Sequence, residues 1–413
     1  MIRSIAMLMC VASTVLGDPQ TKTLAPVWPP RAFEQELGAK GVVVVDERHP
    51  SQLASRQIGL WIENEADASA DVAKYLERLG PSGEAIDPRA VKGEGDNALV
   101  FRSRVGVMPP ESDLGVRTLV FVSLRDTRPY EVERTWMAYE PATTEEVDGL
   151  AVIVPGTFGY PAELYEKWSL ELRQRGWSVL RLLSQPSRFT ERVDYAIGAG
   201  EGALVGEQFA KHADDRTAEC AYAVEAGAAW IEAHDDRLQS KPRAILGFSG
   251  GAILQSSVVA REPDRYEHVV IVAGGANAAS ISIDSTFMKQ YIRSVFFEFT
   301  GEDPAKDRAD FEAAYLKHAT LDTYHAVASY EDDTSVLVLD GSFDKAVPFA
   351  SSTLMFERLE ASGVDPIRRT YPSNHVMIFM SLAELMDDVN AWIDGGELAL
   401  PPGLEAKEPS QAP

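Results

Sequence analysis

Cysteine is scarce in this chain: its 413 residues include two, Cys10 and Cys220. That excludes a disulfide-framed fold, and no Cys spacing of the zinc-binding kind occurs. Basic charge is also short, with 39 Lys and Arg against 63 Asp and Glu and a formal net charge of -24. Such a balance repels phosphate backbones and anionic lipid surfaces, and no uninterrupted basic run offsets it, so nucleic acid is excluded as a partner. There is no internal repeat, which excludes solenoid architectures. The apolar stretch of MIRSIAMLMCVASTVLG is shorter than a membrane span and stops at Asp18;.

That stretch has Arg3, an apolar run from Ile5 to Leu16, and small residues at Val15 and Gly17. It reads as a signal peptide over 1–17, and the expectation is an exported protein, periplasmic or secreted, with no stable membrane insertion after cleavage. Cleavage would remove Cys10 and leave Cys220 with no partner in the chain. The hydrophobic share of 45% and aromatic share of 9% are those of a globular protein;. The length suggests one large domain and something smaller.

Residues 18–115 read as a small α+β accessory region: strands at GVVVVDE (41–47), QIGLWIEN (57–64) and NALVFRSRVGV (97–107), and a helix at ADVAKYLERLG (70–80);. From Thr118 the pattern becomes regular. TLVFVSL and RTWMAYEP form an expected hairpin, and LAVIVPG (150–156) is a nearly all-apolar strand of the kind buried on both faces;. Strand and helix then alternate to about residue 397, which predicts a mostly parallel, mixed sheet with helices on both faces.

Two intervals interrupt the rhythm. Residues 277–333 carry aromatics at helical spacing in DSTFMKQYIRSVFFEFT (284–300) and DRADFEAAYLKHA (307–319), so two helices of an inserted cap are expected;. Its aromatics Phe287, Tyr291, Phe296 and Phe297 are candidates to line a substrate pocket, with plain cap packing as the alternative. A second, Gly-rich helical insertion is expected at 193–215, followed by a separate helix near 216–235. The last residues, 398–413, are polar and Pro-rich and read as a disordered tail;.

The chemistry gathers around AILGFSGGAIL (244–254). Gly-x-Ser-x-Gly alone is weak evidence, but here Ser249 follows a strand pattern and precedes a helix pattern, and Gly247, Gly250 and Gly251 supply small neighbours for a strained turn. A serine hydroxyl attacks only when a base takes its proton, so a His and an acid to orient it are required. Of seven His, His49, His212 and His234 precede the serine, His268 opens the strand after the elbow helix, and His318 and His325 fall in the cap. His375, in YPSNHVMIF between the last strand and the last helix, can reach back over the carboxyl edge of the sheet. For the acid, LVLDGSFDKAVP (337–348) offers Asp340, at the strand end and suited to capping the turn, and Asp344 in the loop;. An oxyanion hole needs two backbone N–H donors: Gly250, and Thr157 or Phe158 from PGTFG (155–159);.

Gly-Phe-Ser-Gly-Gly, then Gly-Ser-Phe-Asp-Lys-Ala-Val-Pro, then Asn-His, in that order after an oxyanion loop, resemble the α/β-hydrolase family across about residues 116–397. The resemblance implies the α/β-hydrolase fold, with Ser249 as nucleophile, Asp344 as acid, His375 as base, and Gly250 with Thr157 as oxyanion donors. Pro155-Gly156 stands where many esterases of the family carry His-Gly. The implied activity is that of a serine carboxylesterase acting on a small-molecule ester through an acyl-enzyme, with no metal and no cofactor. Thioesterase, amidase or peptidase action on the same triad is the alternative, and a catalytically silent binding protein on the same fold is another. A propeller-bearing oligopeptidase is disfavoured because the accessory region is too short for a propeller.

Overall fold

The computed structural model of the chain describes residues 42–46, 60–62, 118–123, 130, 134–156, 162–182, 193–286 and 295–398. The expected signal peptide, the accessory helix at 70–80, the strand at 97–107 and all but the first residue of the expected tail lie outside these.

Ten strands form one sheet: β1 (Val42–Asp46), β2 (Leu60–Ile62), β3 (Thr118–Ser123), β4 (Arg134–Glu140), β5 (Gly149–Val154), β6 (Trp177–Leu182), β8 (Arg243–Phe248), β9 (Tyr266–Val272), β11 (Ser335–Gly341) and β12 (Ile367–Tyr371). Their order is β1-β2-β3-β4-β6-β5-β8-β9-β11-β12. From β6 to β12 every pairing is parallel, whereas β3–β4 and β4–β6 are antiparallel, which is the mixed sheet that the alternation predicts. The two described strands of the accessory region pair with β3 and so extend this same sheet at its edge.

Strands β5, β6 and β8 are buried at every position, as parallel strands covered on both faces must be;. Alternate residues feed two cores. Leu150, Val152, Ile245, Val269 and Val338 pack with α2 (Gly202–His234), α3 (Gly250–Arg261) and α7 (Phe349–Ser362). Ala151, Ile153, Leu246, Val270 and Leu339 pack on the other face with α1 (Ala162–Gln174) and α8 (His375–Ile393). The remaining helices, α4 (Ala278–Asp284), α5 (Pro304–His318) and the single turn α6 (Thr323–Ala326), belong to the cap segment.

The structure corrects two readings of the cap. The expected helix over 284–300 does not hold at its described ends: α4 ends at Asp284, and Val295–Phe299 is a strand, β10, paired in parallel with β7 (Val193–Ile197). VFFEF alternates with period 2, placing Val295, Phe297 and Phe299 against the cap core, and that alternation outweighs the helical spacing of the longer stretch;. The second insertion is likewise not a separate helix. After β7 the chain enters α2, one helix of 33 residues that runs on through the expected helix near 216–235. Its ten alanines favour helix throughout;. The polar His212-Ala213-Asp214-Asp215 stretch is no helix end, because Asp215 pairs with Lys211 one turn back and Asp214 is bonded outward to the cap.

The cap therefore has a core of its own, in which Phe209 of α2, Phe297 of β10 and Phe311 and Tyr315 of α5 pack edge-on or stacked at 4.8–5.9 Å. Helices α2 and α5 approach closely where α2 has no side chains. A Cβ on Gly202 would lie 2.1 Å from the Asp307 carbonyl oxygen, and one on Gly206 would lie 2.3 Å from that of Phe311.

Candidate active site

The carboxyl ends of β5, β8, β9 and β11 lie at one edge of the sheet, with Val154 opposite Gly247, and both Phe248 and Leu339 opposite Val272. Side chains in the loops after these strands can converge there, outside the carboxyl edge.

Strand β8 runs directly into α3 with only Ser249 between them. The turn holds Ser249 at φ 52° and ψ -116°, a left-hand region that costs a non-glycine residue on the order of 1–3 kcal/mol;. Its N–H donates to the Val272 carbonyl at 2.8 Å, which fixes the turn against β9. The flanking glycines are demanded by space. A Cβ on Gly247 would sit 2.3 Å from Gln255 Oε1 and 2.8 Å from the Ala252 Cα, and one on Gly251 would sit 2.1 Å from the Val154 carbonyl oxygen. The helix can therefore start hard against two strands, lifting the serine hydroxyl over the sheet edge.

His375 Nε2 lies 2.9 Å from Ser249 Oγ, and its Nδ1 lies 2.6 Å from Asp344 Oδ2. The other Asp344 oxygen accepts the N–H groups of Ala346 and Val347, at 2.7 and 3.0 Å. With Nδ1–H donated to the carboxylate, Nε2 presents its lone pair to the serine hydroxyl, the tautomer a general base requires. His375 is not in a loop, as the sequence suggests, but is the first residue of α8, which begins there because the Asn374 side chain caps it by accepting the Met377 N–H at 3.0 Å;. The imidazole rests on Phe379 at 5.1 Å, and Phe248, the residue before the serine, packs edge-on against Tyr165 and Trp168 of α1 at 5.0 and 5.2 Å.

The structure thus brings Ser249, His375 and Asp344 together. Asp340 does not cap the turn: it is buried, and Oδ2 accepts from the Ser352 hydroxyl at 2.7 Å and the Arg368 guanidinium at 2.6 Å. Gly250 is the first residue of α3, and its N–H has no acceptor among the described residues. Thr157 and Phe158 lie outside the described residues. The N–H just before them, that of Gly156, donates to the Tyr165 hydroxyl at 2.8 Å. Nothing in the sequence marks Tyr165 for this contact beyond its place in the helix after PGTFG.

None of the four other histidines whose side chains are described bonds to the triad. His212 pairs with the Tyr195 hydroxyl at 3.2 Å, and His325 bonds the Leu316 carbonyl at 2.7 Å. His268 packs between Trp177 and Trp392, where burial lowers its pKa. His318 ends α5, and His49 lies outside the described residues. Of the proposed pocket aromatics, Phe297 is spent in the cap core, stacked on Tyr195 at 5.4 Å, and Phe296 lies on the opposite face of β10. Phe287 and Tyr291 lie outside the described residues. Among the described residues no cluster of His, Cys, Asp and Glu is arranged to hold a metal ion, and no helix is long and apolar enough to cross a membrane.

Residues 197–394, which contain all three triad positions, match the prolyl oligopeptidase family. Together with the sheet order and the strand, serine, helix turn, this decides the fold. This part of the chain is an α/β-hydrolase domain. No curated protein matches the chain significantly. Solved structures similar to it include an acylaminoacyl peptidase of Pyrococcus horikoshii, 10% identical over 67% of this chain with a TM-score of 0.44. A cold-adapted esterase from an Arctic intertidal metagenomic library is 17% identical over 66% of this chain and 93% of its own, with a TM-score of 0.41. A puromycin-hydrolyzing peptidase of Mycobacterium tuberculosis is 16% identical over 66% of this chain and 39% of its own, with a TM-score of 0.40. The chain spans 42% of the length of the Pyrococcus peptidase.

Proposed function

We propose that the protein cleaves a small-molecule carboxylic ester through an acyl-enzyme on Ser249. The observation that carries this reading is the unbroken relay from Asp344 Oδ2 through His375 to Ser249 Oγ, with contacts of 2.6 and 2.9 Å. In this reading Ser249 Oγ attacks the acyl carbon as its proton passes to His375 Nε2. Asp344 stabilises the imidazolium, and the Gly250 N–H, at the positive end of α3, meets the developing oxyanion. His375 then protonates the departing alcohol. Water repeats the sequence on the acyl-serine, with His375 as base, to release the acid and restore the hydroxyl.

A second reading, cleavage of an amide or peptide bond by the same groups, is favoured by the match of residues 197–394 to the prolyl oligopeptidase family. Purified protein treated with a fluorophosphonate probe tests the shared part: labelling is expected in the wild type and lost in Ser249→Ala and His375→Ala. Labelling that survives in Ser249→Ala removes the nucleophile, and a folded wild type that takes no label points to a silent binding protein. p-Nitrophenyl esters of increasing chain length, run beside aminoacyl p-nitroanilides, separate the two readings by their relative kcat/KM. The same proposal places the enzyme outside the cytoplasm, and a mature N-terminus at Asp18 in secreted or periplasmic material tests that.

A further inference from the structure

Among the described residues five large apolar side chains are exposed, and four of them fall on the two segments that carry the acid and the base of the triad: Phe343 beside Asp344, and Val376, Met377 and Met380 after His375. Their exposures run from 47% to 68%. Single exposed apolar residues are ordinary on a protein surface, whereas a group of them around a reactive centre marks something that comes to cover it.

The group is confined to one end of α8. Met380 lies one turn beyond both Val376 and Met377, at i+4 and i+3, so the three share one side of the helix. The opposite side enters the core through Ile378 and Leu382. Farther along the exposed side come Glu384 and Asp387, charged residues of the kind a solvated helix face carries;. The apolar part is thus limited to the first turns, where His375 stands. Phe343 is brought to the same end, because its N–H donates to the Ser373 carbonyl at 3.1 Å, two residues before the base.

The chemistry selects which part of a substrate reaches this surface. His375 Nε2 gives its proton to the leaving oxygen, so that oxygen must come within hydrogen-bond reach of the imidazole, while the acyl oxygen turns to the Gly250 N–H at the start of α3. The His375 side chain is 12% exposed. Whatever the leaving oxygen carries is therefore directed past the open edge of the imidazole and towards the apolar residues that flank it.

We propose that Phe343, Val376, Met377 and Met380 form a leaving-group subsite, and that the substrate is an ester of an apolar alcohol whose alkyl chain lies on this surface during acylation. This rests on the acyl-enzyme reading above. The four side chains carry no charge, so the subsite selects by the apolar area it covers. On an open face about half of each methylene is covered, which corresponds to about a twofold gain in kcat/KM per CH₂.

Alkyl acetates test this, because the acetyl-enzyme is common to the whole series and the alcohol acts only on kcat/KM. From butyl to octyl acetate, below their solubility limits, kcat/KM of the wild type is expected to rise about 10- to 20-fold. Phe343→Ser and Met380→Gln, both at exposed positions, should each reduce that rise, and the double variant should reduce it to less than about threefold. Glu384→Gln, farther along the same side of α8, should keep it. In methyl esters of lengthening acyl chain the Phe343 and Met380 variants should follow the wild type. A rise that survives in the double variant overturns the proposal. So does a rise confined to the acyl series and lost with the same substitutions, which would put the acyl chain on this surface. Vesicle binding or self-association that these substitutions abolish, with the rise intact, overturns it in favour of a lipid surface or a second copy. Octanol titrated into protein with isotope-labelled methionine methyl groups should shift the Met377 and Met380 signals, a readout that needs no turnover. Shifts without hydrolysis of any ester mean that the acyl-enzyme reading fails and the subsite stands. Hydrolysis with neither the shifts nor the rise means that the subsite fails and the acyl-enzyme reading stands.

Discussion

Two buried carboxylates, one at the sheet edge and one in the cap, are each held by three donors and end in different chemistry. Asp344 accepts the N–H groups of Ala346 and Val347 and gives its remaining oxygen to His375. Asp214, on α2, accepts the N–H and hydroxyl of Thr320 and the N–H of Leu321. The donors of Asp214 are all neutral, and a second carboxylate, Asp322, lies near. Burial, helped by Asp322, pushes Asp214 up to about 7 against those three hydrogen bonds. Asp344 faces a ring that becomes cationic in the proposed reaction. A carboxylate is thus a relay when its partner can take a proton and a clasp when its partners cannot. Asp322 extends the clasp, accepting the N–H groups of Asn277, Ala278 and Tyr324 and the Tyr315 hydroxyl, so that α2, α5 and the chain after β9 are tied together.

The largest effect expected from breaking this contrast is at Asp344. Asp344→Asn offers an amide N–H to Nδ1 and so favours the tautomer whose Nε2 already carries a proton. Ester hydrolysis at pH 7 should fall in kcat by about 10⁴-fold with KM nearly unchanged. Steady-state kinetics on a p-nitrophenyl ester checks this, and a loss below tenfold would remove Asp344 from the relay.

The cap side should respond in stability and pH. For Asp214 the folded carboxyl sits at about 7 against an ordinary value of 3.8, so the folded state keeps a proton that the unfolded chain has released. Its contribution is therefore fully present below about pH 4, declines as pH rises towards 7, and is flat above; three pH units at 1.36 kcal/mol each bound it at about 4 kcal/mol. Asp214→Asn cannot titrate. In thermal melts across pH 4–8 the stability of wild type relative to the variant should fall as pH rises towards 7, whatever constant offset the lost acceptor introduces;. Parallel curves would show that Asp214 is ionised throughout.

The same contrast explains what the sequence made legible. At the sheet edge, chemistry and sterics act over a few residues: a buried strand, glycines where a Cβ would strike Gln255 or the Val154 carbonyl, then Asp344 and His375 in chain order. Those constraints are local, so AILGFSGGAIL, GSFDKAVP and SNH could be read together. The cap is held by contacts distant in sequence. Nothing near Asp214 announces Thr320 or Leu321, and nothing near Val193 announces β10, about a hundred residues on; the aromatics of 284–300 satisfy helical spacing until β7 supplies a partner. Asp340 misled for a related reason, since its fate depends on Arg368 in the neighbouring strand. Tyr165 was silent because a helix residue reveals an outward hydroxyl only after the helix has been docked.

The smallest effect would sharpen the comparison at the elbow itself. Ser249 holds φ 52° and ψ -116° because the turn between β8 and α3 allows nothing else, whereas the cap's clasp leaves Asp214 in ordinary helix. Strain of this kind should be stored only where function requires a side chain. Ser249→Ala retains a Cβ in the strained region and Ser249→Gly removes it, so of two variants that both lack the hydroxyl only glycine relaxes the turn;. The relaxation, on the order of 1–3 kcal/mol, is opposed by the larger conformational entropy that glycine loses on folding, roughly 0.5–1 kcal/mol. Ser249→Gly should therefore unfold at higher denaturant than Ser249→Ala, by about 1 kcal/mol at equal m-value. A glycine variant no more stable than the alanine one would mean that the elbow stores no strain, and that the serine conformation costs the fold nothing.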